Sequence, residues 1–366
     1  MLRPGKTADT LTRNPPSAFA RACTIENIGR PDLSSNFAPK PVDAPRRRCE
    51  NGRMNKLPIL ALAALAAFHC LSAKQLNEDR LPSLQTGGVY NGNPAIRDVT
   101  YKVADGQVLQ FDIAYPKAEA PKGGYPLIVY MHGGGWSGGN RFEGYGFFPD
   151  EITHYTSEGF AVATVSYRFI NERRTIVECV EDVMDALRFM AKNAEALKIN
   201  PEKIGVYGHS AGGHLAMMAA LAGGDKFPGD PALNGVEFKV ACAVPMSGPS
   251  SFVDPAANFA NRPVEAAAKR FFGAGNAGPE RMAELARLAS PAEYVSKNSP
   301  PMLIIIGEKD SLVSKNSALY MEKLAKKTGA PFEIFIAPGA EHSFENGDHV
   351  EILKKRRAFF RKHLMQ

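Results

Sequence analysis

Cysteine is scarce in this sequence, with five residues in a chain of 366. No two of them stand in a C-x-x-C spacing, which argues against a thiolate metal site or a dithiol redox motif. Three cysteines fall within the first 70 residues, and Cys179 and Cys242 lie farther along the chain. These two are either buried reduced thiols or one disulfide, which an exported protein tolerates.

The chain also lacks an excess of charge of one sign outside its N-terminal region. Its formal net charge is +6, but residues 1–56 alone hold eleven Lys or Arg and five Asp or Glu. Residues 57–366 hold 33 of each sign, so they create no global field that would attract nucleic acid. No cluster of metal ligands is visible, and the glycine-rich stretches lack the Lys-Ser/Thr pair of a phosphate-binding loop. We therefore expect no nucleic-acid partner, no cofactor and no metal.

The N-terminal part of the chain shows little of the periodicity of a folded domain. Residues 1–53 are rich in Pro, Arg, Ser and Asn, which is typical of disorder. A basic start at Met54, an apolar run of mostly Leu and Ala and two small residues then form a secretory signal pattern over residues 54–73. We interpret residues 1–53 as a disordered extension or as sequence upstream of the true start, and residues 74–95 as a linker.

The signal pattern predicts export to the periplasm or the cell exterior, with no stable membrane insertion after cleavage. The apolar run from Leu57 to Leu71 is shorter than the roughly 20 residues that span a bilayer as a helix. An internal membrane anchor with a cytoplasmic tail is the competing interpretation.

Residues 96–366 alternate between strand and helix patterns and form the predicted catalytic domain. Two segments of alternating polarity flank Asp105-Gly106, a dipeptide typical of a hairpin turn. Short apolar strands then alternate with helical patterns, which indicates an α/β fold with a mostly parallel, twisted sheet and helices on both faces. A stretch near residues 250–290 interrupts this order, and we expect it to be a short insertion that covers the site.

A long helix is predicted over residues 175–197, from the helical spacing of its apolar side chains. Asn200-Pro201 is expected to end this helix. Glu178, Asp182 and Asp185 are interpreted as its solvent-exposed face.

The sharpest functional motif is Gly208-His209-Ser210-Ala211-Gly212. It follows the predicted strand 203–207 and precedes the predicted helix 211–221, which is the context that a nucleophile elbow requires. The glycines allow a tight turn, and the N-terminus of the helix favours a negative charge that develops beside the serine. Ser210 is therefore the predicted nucleophile, and His209 either shapes the elbow or is a packed neighbour.

A second motif, His132-Gly133-Gly134-Gly135-Trp136, follows the predicted strand 127–131. A glycine run lets backbone N–H groups approach a substrate oxygen, so the three glycines and the Ala211 N–H are the expected oxyanion hole. Gly134 is the expected central donor. Trp136 is interpreted as a wall of the substrate site, with a place in the core as the alternative.

Two strand ends downstream of Ser210 supply its candidate partners. One predicted strand is followed by Glu308 and Asp310, and the next by His342 and, farther on, His349. The order serine, acid, histidine is that of α/β-hydrolase triads, and carboxyl ends of parallel strands meet at one edge. We expect His342 to be the base and Asp310 to orient it. Glu308 and His349 are interpreted as surface residues.

Together these motifs resemble the hormone-sensitive-lipase-like esterases. The resemblance is carried by H-G-G-G-W, G-H-S-A-G-G, G-E-K-D and P-G-A-E-H-S-F, and it covers about residues 95–365. Within that group the chain is similar to a bacterial branch that includes bifunctional feruloyl and acetyl-xylan esterases. The kynurenine formamidases share a similar H-G-G-x-W loop. The long N-terminal extension departs from many members of the group.

The motifs and the resemblance imply a serine carboxylic ester hydrolase of the α/β-hydrolase fold that works through an acyl-enzyme. The expected substrate is a small short-chain ester, free or linked to a polysaccharide, such as an acetylated or feruloylated saccharide. The alternatives are an amide-cleaving relative, of the kynurenine-formamidase or exopeptidase type, and a catalytically silent α/β-hydrolase that only binds.

Overall fold

The computed structural model describes residues 88–90, 92–142, 150–254, 257 and 269–366. The predicted extension 1–53 and signal peptide 54–73 lie outside the described residues. The strands are β1 Gly88–Tyr90, β2 Asn93–Ala104, β3 Gln107–Ala114, β4 Tyr125–Met131, β5 Ala161–Val165, β6 Ile199–His209, β7 Cys242–Met246, β8 Met302–Gly307 and β9 Phe332–Ala337. The helices with described bounds are α1 Asp150–Ser157, α2 Ile176–Lys192, α3 Ala211–Leu221, α4 Pro279–Leu288, α5 Asn316–Thr328 and α6 His349–Leu364.

The described strands form one sheet in the order β1-β2-β3-β5-β4-β6-β7-β8-β9. The pairs from β1 to β5 are antiparallel, whereas β5-β4 and every later pair are parallel. The prediction of a mostly parallel α/β sheet is confirmed. None of the described helices is both long and apolar enough to span a bilayer.

The hairpin between β2 and β3 turns at Asp105-Gly106, as predicted. Both residues have positive φ, 50° and 73°, which is the backbone of a type I′ turn and matches the twist of the flanking strands. Ala104 pairs with Gln107 directly beside the turn.

The predicted linker 74–95 is wrong where the structure describes it. Residues 88–90 are β1, and residues 93–95 begin β2, with Gly88 opposite Ala95. A three-residue edge strand has too few side chains to show an alternating pattern, so only its pairing with β2 reveals it.

The long helix α2 starts as predicted and ends earlier than predicted. Thr175 caps it, and the Glu178 carboxylate accepts the Thr175 backbone N–H at 2.7 Å, which completes a capping box. The last helical residue is Lys192, because the Asn193 side chain donates to the Phe189 carbonyl at 2.8 Å and ends the helix there. The expected stop at Asn200-Pro201 therefore lies inside β6 instead.

The predicted solvent-exposed acidic face of α2 is wrong for two of its three residues. Asp182 and Asp185 are fully buried. The Lys102 ammonium lies 2.8 Å from Asp182 and 2.7 Å from Asp185. Arg168 pairs with Asp182 at 2.8 Å, and Arg188 with Asp185 at 2.7 Å. Burying these carboxylates is tolerable because three cations neutralise them and satisfy their hydrogen bonds.

The core lies on both faces of the sheet, as β4 shows. Leu127 and Val129 belong to one buried cluster, and Ile128 and Tyr130 belong to another. Side chains along a strand alternate between faces, so β4 is covered on each side. The carboxyl ends of the parallel strands therefore form one rigid edge, and the candidate site lies there.

Cys179 and Cys242 are both buried free thiols. The Cys179 thiol donates to the Arg168 carbonyl at 3.1 Å. The disulfide considered as an alternative does not form between them.

Candidate active site

Ser210 stands in a sharp turn between β6 and α3. Its φ is 58°, which is unusual for a residue other than glycine and is typical of a strained functional turn. A side chain at Gly208 or Gly212 would clash with the Met131 carbonyl, so the two glycines make this turn possible. The Ser210 N–H donates to the Met246 carbonyl on β7 at 2.8 Å, which ties the turn to the sheet.

The structure brings Ser210, His342 and Asp310 together from three separate strand ends. The Ser210 hydroxyl donates to His342 Nε2 at 2.9 Å. On the other side of the ring, Nδ1 lies 2.8 Å from Asp310 Oδ2 and 3.0 Å from Oδ1. This arrangement sets the imidazole in the tautomer that can accept the serine proton.

The Asp310 carboxylate is held in its charged form. Burial disfavours the charge, but the hydrogen bond from His342, the electrostatic attraction to that ring and the N–H groups of Val313 and Leu312 outweigh it, so the pKa of Asp310 is below its usual value. Those N–H groups lie 2.8 and 2.9 Å from Oδ1.

The other candidates near these strand ends are placed elsewhere. Glu308 is exposed, and its carboxylate accepts the Gly339 N–H at 2.9 Å. His349 is the first residue of α6 and is exposed. Neither residue is among the described residues that border the cavity at Ser210.

The glycine loop after β4 borders the same cavity as Ser210 through Gly134 and Gly135. Their φ values are 112° and 61°, conformations that favour glycine. Gly133 is not among the described residues that border the cavity, and its carbonyl accepts the His132 Nδ1–H at 2.7 Å. Of the predicted oxyanion residues, Gly134 and Gly135 are therefore at the cavity, and Ala211 follows Ser210 at the start of α3.

His132 braces this loop. Its ring stacks on Tyr167 with centroids 4.3 Å apart and planes 14° apart. The Tyr167 hydroxyl donates to the His132 carbonyl at 2.8 Å. The loop is thereby fastened to the segment that follows β5.

Trp136 lines the cavity and is also part of the core, so the wall interpretation and the core interpretation both hold for it. It is 2% exposed, and its indole N–H donates to His214 Nδ1 at 3.3 Å. His214 Nε2–H in turn donates to the Ala289 carbonyl at 2.7 Å. Burial lowers the pKa of His214 to about 4, so this chain of hydrogen bonds contains a neutral ring.

The cavity at Ser210 measures about 360 Å³. The described residues around it include Gly134, Gly135, Trp136, Ser210 and His342, which the motifs predicted, and others that sequence reasoning missed. The missed positions are Pro249, Arg270, Leu312, Val313 and Ser343. Their only sequence signal is proximity to a motif or to the expected insertion.

Part of the expected insertion at 250–290 packs beside this cavity. Phe252 and Phe271 contact Trp136, with ring centroids 5.8 and 5.1 Å away, and Phe272 is fully buried. Two other apolar residues of the expected insertion, Phe259 and Val264, lie outside the described residues. Phe271 thus lines the cavity itself, and Phe252 and Phe272 are core residues packed behind it.

Residues 111–324 match the family model BD-FAE. This match spans more than half of the chain. The chain belongs to the BD-FAE family. Esterase LipC of Mycobacterium tuberculosis is 23% identical over 305 residues, which are 82% of this chain and 72% of LipC. Matches to several other relatives cover about half of those proteins or less.

Solved structures share the fold of this BD-FAE chain. The native Est2 esterase of Thermogutta terrifontis aligns with a TM-score of 0.60 and 22% identity over 77% of this chain and 96% of Est2. A truncated carbohydrate esterase from gut microbiota aligns with a TM-score of 0.58 and 22% identity, over 78% of this chain and 99% of that one. The family and the relatives identify the BD-FAE chain as a carboxylic ester hydrolase of the α/β-hydrolase fold.

Proposed function

We propose that this protein hydrolyses short-chain carboxylic esters through an acyl-enzyme on Ser210. The observation that carries this proposal is the unbroken line of hydrogen bonds from the Ser210 hydroxyl through His342 to Asp310, at 2.9 and 2.8 Å. A silent binding protein has no need of this geometry, so the arrangement favours an enzyme.

In the proposed reaction, the Ser210 oxygen attacks the ester carbonyl carbon while its proton passes to His342 Nε2. The carbonyl electron pair moves onto oxygen, where the N–H groups of Gly134, Gly135 and Ala211 are the candidate donors. Each oxyanion donor typically contributes about 3–4 kcal/mol to transition-state stabilisation. The C–O bond then breaks, and the departing alkoxide takes the proton from His342.

The second half of the reaction repeats these roles with water. His342 removes a proton from water, which attacks the acyl carbon and forms a second oxyanion. The bond to Ser210 breaks, the serine oxygen recovers the proton from His342, and the carboxylic acid leaves. Asp310 stabilises the imidazolium in both halves.

The cavity supports a preference for short acyl groups on water-soluble esters. Its volume of about 360 Å³ is near the small end of ligand pockets, roughly 300–1,000 Å³. Trp136, Phe271 and Val313 are buried walls, so an acyl chain that outgrows the space meets packed side chains. Each methylene that fits adds at most about 0.8 kcal/mol.

Acetylated or feruloylated saccharides are the proposed natural substrates. Aromatic walls and a polar rim suit a sugar or a phenolic acid, and one protein of similar fold is a carbohydrate esterase. An amide-cleaving activity would use the same Ser210 machinery, so the experiment includes it.

The test is kcat/KM for p-nitrophenyl esters from C2 to C16, for acetylated and feruloylated saccharides, and for N-formylkynurenine. We expect efficient cleavage of acetate and butyrate, with palmitate barely cleaved. A maximum at C10 or longer, or activation by emulsified triglyceride, contradicts the short-chain assignment. A preference for the formamide over every ester assigns an amidase instead.

We also infer export through residues 54–73, on the strength of their signal-peptide pattern alone. The chain expressed from Met54 in a bacterial host is expected in the periplasmic fraction, shortened near residue 73 by mass spectrometry. An uncleaved chain that stays in the cytoplasm or the membrane contradicts this inference.

A further inference from the structure

Arg270 is the single permanently charged side chain among the described residues that line the Ser210 cavity. No carboxylate is among these lining residues, because Asp310 lies behind His342. The remaining walls are apolar, aromatic, glycine or neutral polar side chains. The described lining of the cavity therefore carries one positive charge and no negative charge that would balance it.

The guanidinium of Arg270 is held at this place by an aromatic support. Its Cζ lies 5.5 Å from the ring centroid of Phe271. Phe271 is 4% exposed and packs against Trp136 and Phe252 with centroids 5.1 and 6.0 Å away. The exposed guanidinium thus lies beside a buried aromatic cluster that forms one wall of the cavity.

Arg270 also lacks an ion-pair partner within the described part of the chain. Two buried arginines elsewhere in the described chain, by contrast, do form ion pairs. Arg168 and Arg188 each pair with a carboxylate at 2.9 Å or less. The exposed N–H groups of Arg270 are therefore available to a ligand, and a guanidinium matches a carboxylate in bidentate geometry.

We propose that Arg270 binds a carboxylate carried by the ester substrate. The substrate class is then an ester of an acidic compound. The carboxylate can belong to the alcohol part, as in an acetylated uronic-acid saccharide, or to the acyl part, as in a half-ester of a dicarboxylic acid. This inference rests on the proposed ester hydrolysis at Ser210 and adds to it a preference for negative charge.

The test compares kcat/KM within two pairs of substrates that differ in one carboxylate. For the acyl part, the pair is the mono-p-nitrophenyl ester of glutaric acid and p-nitrophenyl pentanoate. For the alcohol part, the pair is an acetylated methyl glucuronoside and the corresponding acetylated methyl glucoside. The pair with the larger preference for the acid identifies which side of the ester carries the carboxylate.

Three variants separate the role of Arg270 from that of general charge. Arg270→Gln removes the charge, Arg270→Glu reverses it, and Lys269→Gln removes an equal charge one residue away, outside the described cavity lining. An exposed ion pair changes affinity up to about fivefold. We expect Arg270→Gln to lower kcat/KM for the acidic substrate two- to fivefold, on that same approximate scale. Arg270→Glu should lower it further, and Lys269→Gln should leave it unchanged.

The neutral substrate of each pair is the internal control. If wild-type protein cleaves neutral esters but neither acid is preferred, the role of Arg270 is wrong and the proposed function stands. The role is also wrong if Arg270→Gln lowers kcat/KM equally for acidic and neutral substrates, or if Lys269→Gln has the same effect. If wild-type protein cleaves no ester of either kind, the proposed function itself fails. The preference should weaken as salt is added, since exposed charges are screened.

Discussion

The Nε2 atom of His209 lies 2.7 Å from the backbone carbonyl oxygen of His342, to which it donates a hydrogen bond. His209 comes directly before Ser210, so one ring fastens the base to the turn that carries the nucleophile. Burial and the nearby His342 lower the pKa of His209 to about 4. The ring is therefore neutral at pH 7 and adds no charge beside the base.

His209→Ala should lower kcat more than it raises KM, because the backbone at His342 loses its anchor. It should also cost about 1–3 kcal/mol of stability, since a partly buried carbonyl loses its donor. His209→Gln keeps a side-chain N–H near the position of Nε2 and should recover much of kcat. Equal damage from both variants, with unchanged affinity for substrate, argues that the ring acts by packing alone. Steady-state kinetics and urea unfolding measure these effects.

The free energy of unfolding should fall as the pH is lowered from 6.5 to 4. His209 and His214, with pKa values of about 4, stay neutral in the folded protein while the unfolded chain takes up protons from about pH 6.5. The unfolded state then binds more protons, so each histidine removes about 1.4 kcal/mol per pH unit. Urea unfolding at several pH values checks this. His209→Gln should make the dependence of the unfolding free energy on pH less steep. An unchanged slope contradicts the assignment of a lowered pKa to His209.

Ser210→Ala should reduce esterase activity below a few per cent without unfolding the protein. The turn depends on its glycines and on the Ser210 backbone, so the loss of one oxygen leaves the packing unchanged. His342→Ala should be nearly as damaging, because the two residues act as one unit. His349→Ala is the matched control and should retain activity. Activity lost in His349→Ala but kept in His342→Ala places the base elsewhere.

Gly134→Ala should lower kcat/KM far more than Gly135→Ala. Both glycines have positive φ, but a Cβ at Gly134 would also collide with the backbone at Gly138, whereas a Cβ at Gly135 would meet only the Ser137 hydroxyl oxygen, at an ordinary contact distance of 3.8 Å. Displacing an oxyanion donor typically costs about 100- to 1,000-fold in kcat. Circular dichroism of both variants reports whether the fold survives. A Gly135→Ala variant that is the worse of the two argues against Gly134 as the central donor.

Asp182→Asn should destabilise the protein by about 3–5 kcal/mol, because Lys102 and Arg168 lose a buried counter-charge. Glu202→Gln is the matched control, since Glu202 forms an exposed pair with Lys239 at 2.9 Å. Its cost should stay below about 1 kcal/mol. Chemical unfolding of both variants measures the difference. Equal costs contradict the interpretation of the buried network.

The sequence by itself determined the elements whose signals are local. The helix 211–221 was predicted with the bounds it has, and the turn at Asp105-Gly106 forms as its residue types require. The meeting of Ser210, Asp310 and His342 was also predictable. Parallel strands bring their carboxyl ends to one edge, so residues just past those ends become neighbours even when they are distant in the chain.

Tertiary structure alone decided which charged side chains are buried and which line the cavity at Ser210. Asp185 and Lys102 are 83 residues apart, and no local pattern on α2 distinguishes a buried carboxylate from an exposed one. Arg270 could not be identified from the sequence either, because it belongs to no motif and is distinguished only by lining the same cavity as Ser210. The periodicity of a sequence shows which side of a helix or strand is apolar. The residues that pair with a charged side chain come from segments distant in the sequence, so only the folded structure identifies them.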